Sequence, residues 1–226
     1  MFQFKYSFVP LLISLFISKV FTYSCPDISL QSEPQVNITE YIKSSWYIQQ
    51  QQVNGYQTTD DLYCVVATYN IDSNSHVPFF NKKTISVYNY GNYQKINGKS
   101  MGTNMILCAR EYNESSPEKL SVAPCFLPNL FAGPYWIIMA GPYTDRYEWA
   151  VVSGGQPSVK VTNTTCTTKE TGVNGAGLWI FSRNPVMNTT LLQTIRSELV
   201  KKGVAVSKLL DVPQQGCLYN NSYIKL

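Results

Sequence analysis

The amino-acid sequence predicts an all-β domain of eight antiparallel strands followed by one α-helix. The first observation is a series of short segments rich in Tyr, Val, Ile, Thr and Trp, separated by Gly, Pro and Asn, which is typical of strands joined by turns. The second is a single late stretch with apolar residues at helical spacing. The third is size, because residues 25–226 suffice for one domain with a large core.

The predicted strands follow one another along most of this domain. Turn signals separate them, among them Tyr90-Gly91-Asn92 and the run from Gly154 to Pro157. The predicted strands are 45–52, 62–70, 83–90, 93–103, 118–125, 134–141, 146–154 and 177–183. The segment 105–117, between the fourth and fifth of them, is interpreted as an insertion.

The predicted helix begins near Asn188 or Thr189, either of which can cap free backbone N–H groups. Its last turn carries Lys201 and Lys202, which complement the helix dipole, and Gly203 supplies the residue that ends it. The apolar face consists of Leu191, Leu192, Ile195, Leu199 and Val200. We expect this face to pack on the outside of the strands.

The first residues have the pattern of a secretion signal. Lys5 precedes an apolar run, 8–17, that is too short to span a bilayer, and Thr22 and Ser24 supply the small residues of a cleavage site. We therefore predict a signal peptide, 1–24, and a mature domain, 25–226, that begins at Cys25. A bacterial lipid-attachment site also ends on Cys, but it usually has Leu where this chain has Thr22. No later apolar stretch is long enough for a transmembrane span.

The formal net charge of +4 is spread along the chain, with no block denser than Lys82-Lys83 or Lys201-Lys202. Nucleic acid is therefore excluded as an expected partner.

Six cysteines after a secretion signal predict three disulfides, with fifteen pairings possible from the count alone. Glycosylation sequons occur at Asn37, Asn113, Asn163, Asn188 and Asn220, which agrees with a secreted, extracellular glycoprotein.

Eight strands and a late helix fit either a sandwich or a closed barrel, and three segments favour the barrel. They are VNITEYIKSSWYI at 36–48, YTDRYEW at 143–149 and WIFSRNP at 179–185. Together they resemble the signature regions of the lipocalin family, particularly the apolipoprotein D group and the bacterial outer-membrane lipocalins. Ser44 stands where Gly is usual, and Arg146 replaces an aromatic residue. The resemblance implies an eight-stranded up-and-down barrel with the helix packed outside.

The resemblance also implies roles for individual residues. Carried over from the apolipoprotein D group, the disulfides join Cys25 to Cys166 and Cys64 to Cys217, which leaves Cys108 to pair with Cys125. The structural signature residues are Trp46, Thr144, Asp145 and Arg183. Of these, Trp46 and Arg183 are expected to make a cation–π contact at the closed end of the barrel.

A barrel closed at one end implies a small hydrophobic ligand in the interior and a carrier or sequestering function. The aromatic content of 13% favours a flat or conjugated molecule, such as a lipid, retinoid, carotenoid or tetrapyrrole. Alternation along the strands nominates the ligand-facing residues Ile48, Gln50, Tyr69, Tyr88, Tyr135, Ile137, Trp149 and Phe181.

Two alternatives remain open. One is a protein- or receptor-binding module, with the segment 108–117 as its contact surface. The other is an enzyme of the de-epoxidase type, in which Asp60, Asp61 or Asp72 reaches the cavity. The sequence offers no free Cys for a thiol mechanism, and His76, the one histidine, lies in a polar turn. We therefore expect no catalytic residues, no metal and no cofactor.

Overall fold

The computed structural model describes residues 24–70, 74–101, 106–172 and 174–226. The predicted signal peptide lies outside these ranges except for Ser24. Asp72 is likewise outside them. Among the described helices, none is long and apolar enough to cross a membrane.

The strands form a closed barrel, as the sequence and the family resemblance predicted. The barrel strands are β1 (Trp46–Gln51), β2 (Tyr63–Tyr69), β3 (Thr84–Asn92), β4 (Leu107–Glu111), β5 (Lys119–Pro124), β6 (Gly133–Tyr143), β7 (Arg146–Ser153) and β10 (Leu178–Ser182). Each pairs antiparallel with its neighbour in sequence, and β10 pairs with β1 to close the ring. Two short strands, β8 (Val159–Lys160) and β9 (Cys166–Thr167), form a separate hairpin, and β11 (Leu210–Asp211) adds to the edge of β1.

Seven of the predicted strands match observed strands, and the fourth is wrong. The chain after Asn92 turns back on itself, with the Tyr93 N–H donating to the Lys99 carbonyl at 2.9 Å. Gln94 and Asn97 have φ of 61° and 55°, which an extended strand does not permit. The fourth strand is β4, which lies in the segment interpreted as an insertion. This strand carries two charged residues, Arg110 and Glu111, which a sequence pattern places at the surface. Both are buried in the fold, so the pattern did not indicate a strand.

The late helix, α2 (Thr189–Lys201), is confirmed together with its cap. The Asn188 side chain accepts from the N–H groups of Thr190 and Leu191 at 2.9 and 3.2 Å, and Gly203 has φ of 81°. Ile195 and Leu199 are buried against residues of β6, β7 and β10 on the outer wall of the barrel. A shorter helix, α1 (Ile38–Tyr41), precedes β1 and buries Tyr41 in the interior of the barrel.

All three predicted disulfides are present. Cys25 bonds to Cys166, Cys64 to Cys217 and Cys108 to Cys125. The first ties the N-terminal arm to β9, the second ties β2 to the C-terminal tail, and the third joins β4 to the residue after β5. The five sequon asparagines are all exposed, so each is accessible for glycosylation, which stays a prediction.

Candidate functional site

One end of the barrel is closed by Trp46 and Arg183. The guanidinium carbon lies 3.5 Å from the centre of the indole ring, which confirms the predicted cation–π contact. The guanidinium N–H groups donate to the backbone carbonyls of Glu40, Tyr41, Ser44 and Ser45. Burial lowers the pKa of Arg183 to about 10, so it stays charged at neutral pH. Trp46 is fully buried, and its indole N–H donates to the Tyr41 carbonyl at 2.9 Å.

Alternation along the strands gives the barrel an apolar interior. Alternate residues along much of β2, β3, β4, β5 and β7 belong to one continuous interior cluster. The members from these strands include Val65, Ala67, Tyr69, Ile85, Val87, Ala109, Leu120, Ala150 and Val152. The residues between them pack on the outer wall or against the C-terminal tail.

The exposure of the interior side chains changes along the barrel axis. At the Trp46 end most of them are buried, although Tyr135 and Ala140 are partly exposed. At the other end Val53, Leu107, Val122 and Trp179 pack against the same cluster but are partly exposed. All four lie where their strands reach the end opposite Trp46, because β1 and β5 end there and β4 and β10 begin there. The barrel is therefore open at this end, and we call its interior the cup, with these four residues as its rim.

Five of the eight predicted ligand-facing residues lie in the cup. They are Ile48, Tyr69, Tyr135, Ile137 and Phe181, all of which pack in the interior cluster. Their contact with a ligand stays a prediction.

Gln50 does not face the cup, contrary to the prediction, because β1 carries a bulge. The register against β10 shifts between Ile48 and Gln50, which adds one residue and reverses the facing of every residue that follows. The Gln50 side chain bonds instead to Asp211 and to Arg196 of α2, both at 2.6 Å. Gln51 occupies the inward position, opposite Trp179.

Tyr88 and Trp149 also lie on the outside, so their predicted orientation was wrong. Tyr88 packs beside Cys64 and its ring centre is 4.6 Å from that of Tyr223 in the C-terminal tail. Trp149 belongs to the cluster beneath α2, where its ring covers Gly141 so closely that an added Cβ there would lie 2.6 Å away. In β3 the assumed alternation started from the wrong residue. In β7 the register shifts where Gly141 pairs with Trp149 but Pro142 with Tyr147, and this extra residue turns Trp149 outward.

Three tyrosine hydroxyls meet at the base of the cup. The Tyr135 hydroxyl is 2.6 Å from that of Tyr41 and 2.7 Å from that of Tyr69. Burial raises the pKa of each: that of Tyr69 to about 12, and those of Tyr41 and Tyr135 well above the ordinary value. Sequence reasoning missed Tyr41, because it precedes the first strand. The sequence does indicate its burial, because Ile38, Tyr41 and Ile42 are apolar at helical spacing. All three pack in the interior cluster.

A second polar group lies near the rim. The Gln51 Nε2 group donates to Gln57 at 2.7 Å, while the Oε1 atom is buried without a hydrogen-bond partner among the described residues. An unpaired buried carbonyl oxygen can accept from a water molecule or from a ligand hydroxyl. Gln51 pairs with Trp179 across the two strands, so a buried acceptor that lacks a partner among the described residues lies near the rim.

The described residues considered for the enzyme alternative, and two of the signature residues, lie outside the barrel strands. Asp61 accepts from the N–H of Thr58 at 2.7 Å, and Asp60 accepts from Gln94 at 3.1 Å, so both carboxylates hold loops. His76 is exposed. Thr144 and Asp145 form the turn between β6 and β7.

No protein-family model matches this sequence, and no curated protein matches it. Solved structures match the fold. Lobster apocrustacyanin A1 superposes with a TM-score of 0.54 at 18% identity, covering 89% of this chain and 97% of that chain. H1 crustacyanin from the lobster Homarus americanus gives 0.52 at 16% identity, with the same coverage of 89% and 97%. The cockroach allergen Per a 4 gives 0.50 at 13% identity, covering 79% and 88%. At these identities the similarity establishes the fold.

Proposed function

We propose that this chain, which has the lipocalin fold, binds one small hydrophobic molecule in the cup and carries or sequesters it. The observation that carries the proposal is the gradient of exposure inside the barrel, from the buried Trp46 to the partly exposed rim. Binding of an apolar molecule to exposed apolar surface in a concave site is favourable, because the molecule displaces water from that surface.

The aromatic residues of the cup favour a flat or conjugated ligand body. Trp179 lies at the rim, Phe181 lies deeper on the same strand, and Tyr135 lies on β6, two strands away. Aromatic faces stack with planar apolar molecules and add to the free energy of burial. Lipids, retinoids, carotenoids and tetrapyrroles all present such a body or a flexible apolar chain.

We further propose that the protein is secreted. Three disulfides require an oxidising compartment, and the exposure of all five sequon asparagines is compatible with glycosylation. The bridges of Cys25 and Cys64 support a relationship with the apolipoprotein D group, because those two pairs were carried over from that group.

We assign no catalytic role to the cup. All six cysteines are paired, and the carboxylates of Asp60 and Asp61 are engaged in loop hydrogen bonds. Turnover of a bound molecule during the titration described below would contradict this assignment.

A second candidate function is binding to a protein receptor, and a specific surface favours it. The segment between β5 and β6 exposes Phe126, Leu130 and Phe131 by 68%, 87% and 56%. Large apolar side chains clustered on a surface often mark a protein contact. Phe126 also lines a surface groove with Pro78 and Ile106, beside the Cys108–Cys125 bridge.

The direct test is extraction of natively expressed protein with organic solvent followed by mass spectrometry. We expect one apolar molecule per chain. Titration of the emptied protein with fatty acids, retinoids, carotenoids and tetrapyrroles should quench Trp fluorescence at micromolar or tighter affinity for at least one class. No extracted molecule and no quenching by any class would overturn the carrier function and leave the receptor-binding surface as the better candidate.

A further inference from the structure

We propose that the base of the cup is a polar subsite in which the Tyr135 hydroxyl donates a hydrogen bond to an oxygen at the inner end of the ligand. The inference rests on the proposed function and specifies its ligand class. The ligand is an apolar molecule with a carbonyl or carboxylate oxygen at one end, inserted with that end first. We call the three hydroxyls of Tyr41, Tyr69 and Tyr135 the tyrosine cluster.

The geometry of the tyrosine cluster leaves one proton to donate. Tyr135 is the middle member, with bonds of 2.6 Å to Tyr41 and 2.7 Å to Tyr69. Three phenols carry three protons, and the two bonds between them use two. The third proton is free to be donated to an acceptor outside the cluster.

Burial identifies Tyr135 as the member that donates this proton. Tyr41 and Tyr69 are 0% and 2% exposed, whereas Tyr135 is partly exposed. Tyr135 packs against the interior cluster, and its hydroxyl lies between those of two buried tyrosines. When Tyr41 and Tyr69 both donate to Tyr135, the Tyr135 proton is the one left to donate to a ligand.

The charge beneath the tyrosine cluster favours an oxygen acceptor. The Tyr41 ring centre lies 5.3 Å from that of Trp46, and the Arg183 guanidinium lies over the Trp46 ring. The guanidinium bonds described here go to backbone carbonyls, which leave its positive charge in place. A positive charge in a buried site attracts the negative end of a carbonyl or a carboxylate. Burial also raises the pKa values of the cluster, which keeps the hydroxyls protonated as donors.

The walls above the cluster require the rest of the ligand to be apolar. Ile48, Val87, Leu120 and Phe181 surround this part of the interior and carry no polar side-chain atoms. A molecule with oxygen at the inner end and a hydrocarbon body therefore matches both parts of the site. A pure hydrocarbon would leave the Tyr135 proton without an acceptor once water is displaced, which weakens its binding.

The test compares three probes with one carbon skeleton: retinal, retinoic acid and axerophthene, the hydrocarbon that lacks their oxygen. Each is titrated by Trp quenching into the intact protein, into Tyr135→Phe and into Tyr147→Phe. Tyr147 is a matched control, because it is also a buried interior tyrosine, but its hydroxyl accepts from the Asn37 N–H at 2.9 Å outside the tyrosine cluster.

We expect the intact protein to bind retinal or retinoic acid at least about tenfold more tightly than axerophthene. Tyr135→Phe should remove this preference and strengthen axerophthene binding, because no buried donor is then left without an acceptor, and Tyr147→Phe should keep the preference. A stronger loss for retinoic acid than for retinal would assign the subsite to a carboxylate, and the reverse would assign it to a neutral carbonyl.

Equal affinity of the intact protein for all three probes would overturn the polar subsite while the cup stays a binding site. This comparison needs no variant, so it holds even if Tyr135→Phe does not fold. Absence of binding by all three probes would also overturn the subsite. The titration with fatty acids, carotenoids and tetrapyrroles then shows whether the carrier function is overturned as well.

Discussion

Arg183 covers the ring of Trp46 at 3.5 Å and at the same time donates to the carbonyl of Tyr41, the residue whose ring centre lies 5.3 Å from that of Trp46. This arrangement links three parts of the chain: β1, the loop after β10, and α1. The cation–π contact and the carbonyl bonds are partly shielded from water, so each contributes more to stability than it would on a surface. The pair therefore closes one end of the barrel.

Replacing Trp46 with Ala should destabilise the protein by about 3–5 kcal/mol, because the ring is fully buried. Urea unfolding followed by far-UV circular dichroism measures this. The control is Trp149→Ala, on the outer wall and partly exposed, which should cost less. An unchanged unfolding free energy for the Trp46 variant would contradict its place at the closed end.

Replacing Cys108 and Cys125 together with Ser should destabilise the protein by about 3 kcal/mol on the chain-entropy account, since the bridge spans a separation of 17 residues. Urea unfolding of the double variant without reductant gives the difference. Peptide mapping of the parent protein should recover this bridge and the two others. A free thiol at either position would disprove the pairing and reopen a cysteine-based mechanism.

Most of the fold was predictable because its signals are local. The cap at Asn188, the apolar face of α2 and seven of the strands each depend on residues close together in sequence. The closing pair of Trp46 and Arg183 and two of the bridges were accessible only through the family resemblance, because the partners are far apart along the chain.

The facing of individual side chains was less predictable for a physical reason. One extra residue at the bulge after Ile48 turns Gln50 outward and Gln51 inward, and nothing in the run of four glutamines at 49–52 marks the bulge. β4 was missed because its Arg110 is buried by donating to the carbonyls of Cys108, Ala123, Pro124 and Leu127, a set of partners that only the folded chain assembles.

The stability of the protein should fall as the pH rises from about 10 to 12, since Tyr has an ordinary pKa of about 10 in the unfolded chain. Between these values the unfolded chain releases the Tyr69 proton, while the folded protein, with the pKa of Tyr69 raised to about 12, keeps it. The unfolded state is then favoured by about 1.4 kcal/mol per pH unit for each such group. Below pH 10 both states are protonated and the group has no effect.

Urea unfolding at several pH values from 8 to 12 measures this slope. Tyr135→Phe should flatten it, because the substitution removes a buried tyrosine whose pKa is also raised. A slope that Tyr135→Phe leaves unaltered would mean that the tyrosine cluster is not the source of the alkaline instability.

Enlarging Val122 to Phe should weaken ligand binding by at least about tenfold while the fold is kept. Val122 packs against the interior cluster at the rim but is partly exposed, so the larger ring has space to enter the cup and occupies volume that the ligand needs. The matched control is Ser121→Phe, because neighbouring residues of β5 point to opposite faces of the barrel wall. Trp quenching with the ligand extracted from native protein gives both affinities, and thermal melting reports whether either variant is destabilised. Equal affinities for the two variants would place the ligand outside the cup, and the exposed surface around Phe126 would then become the first site to test.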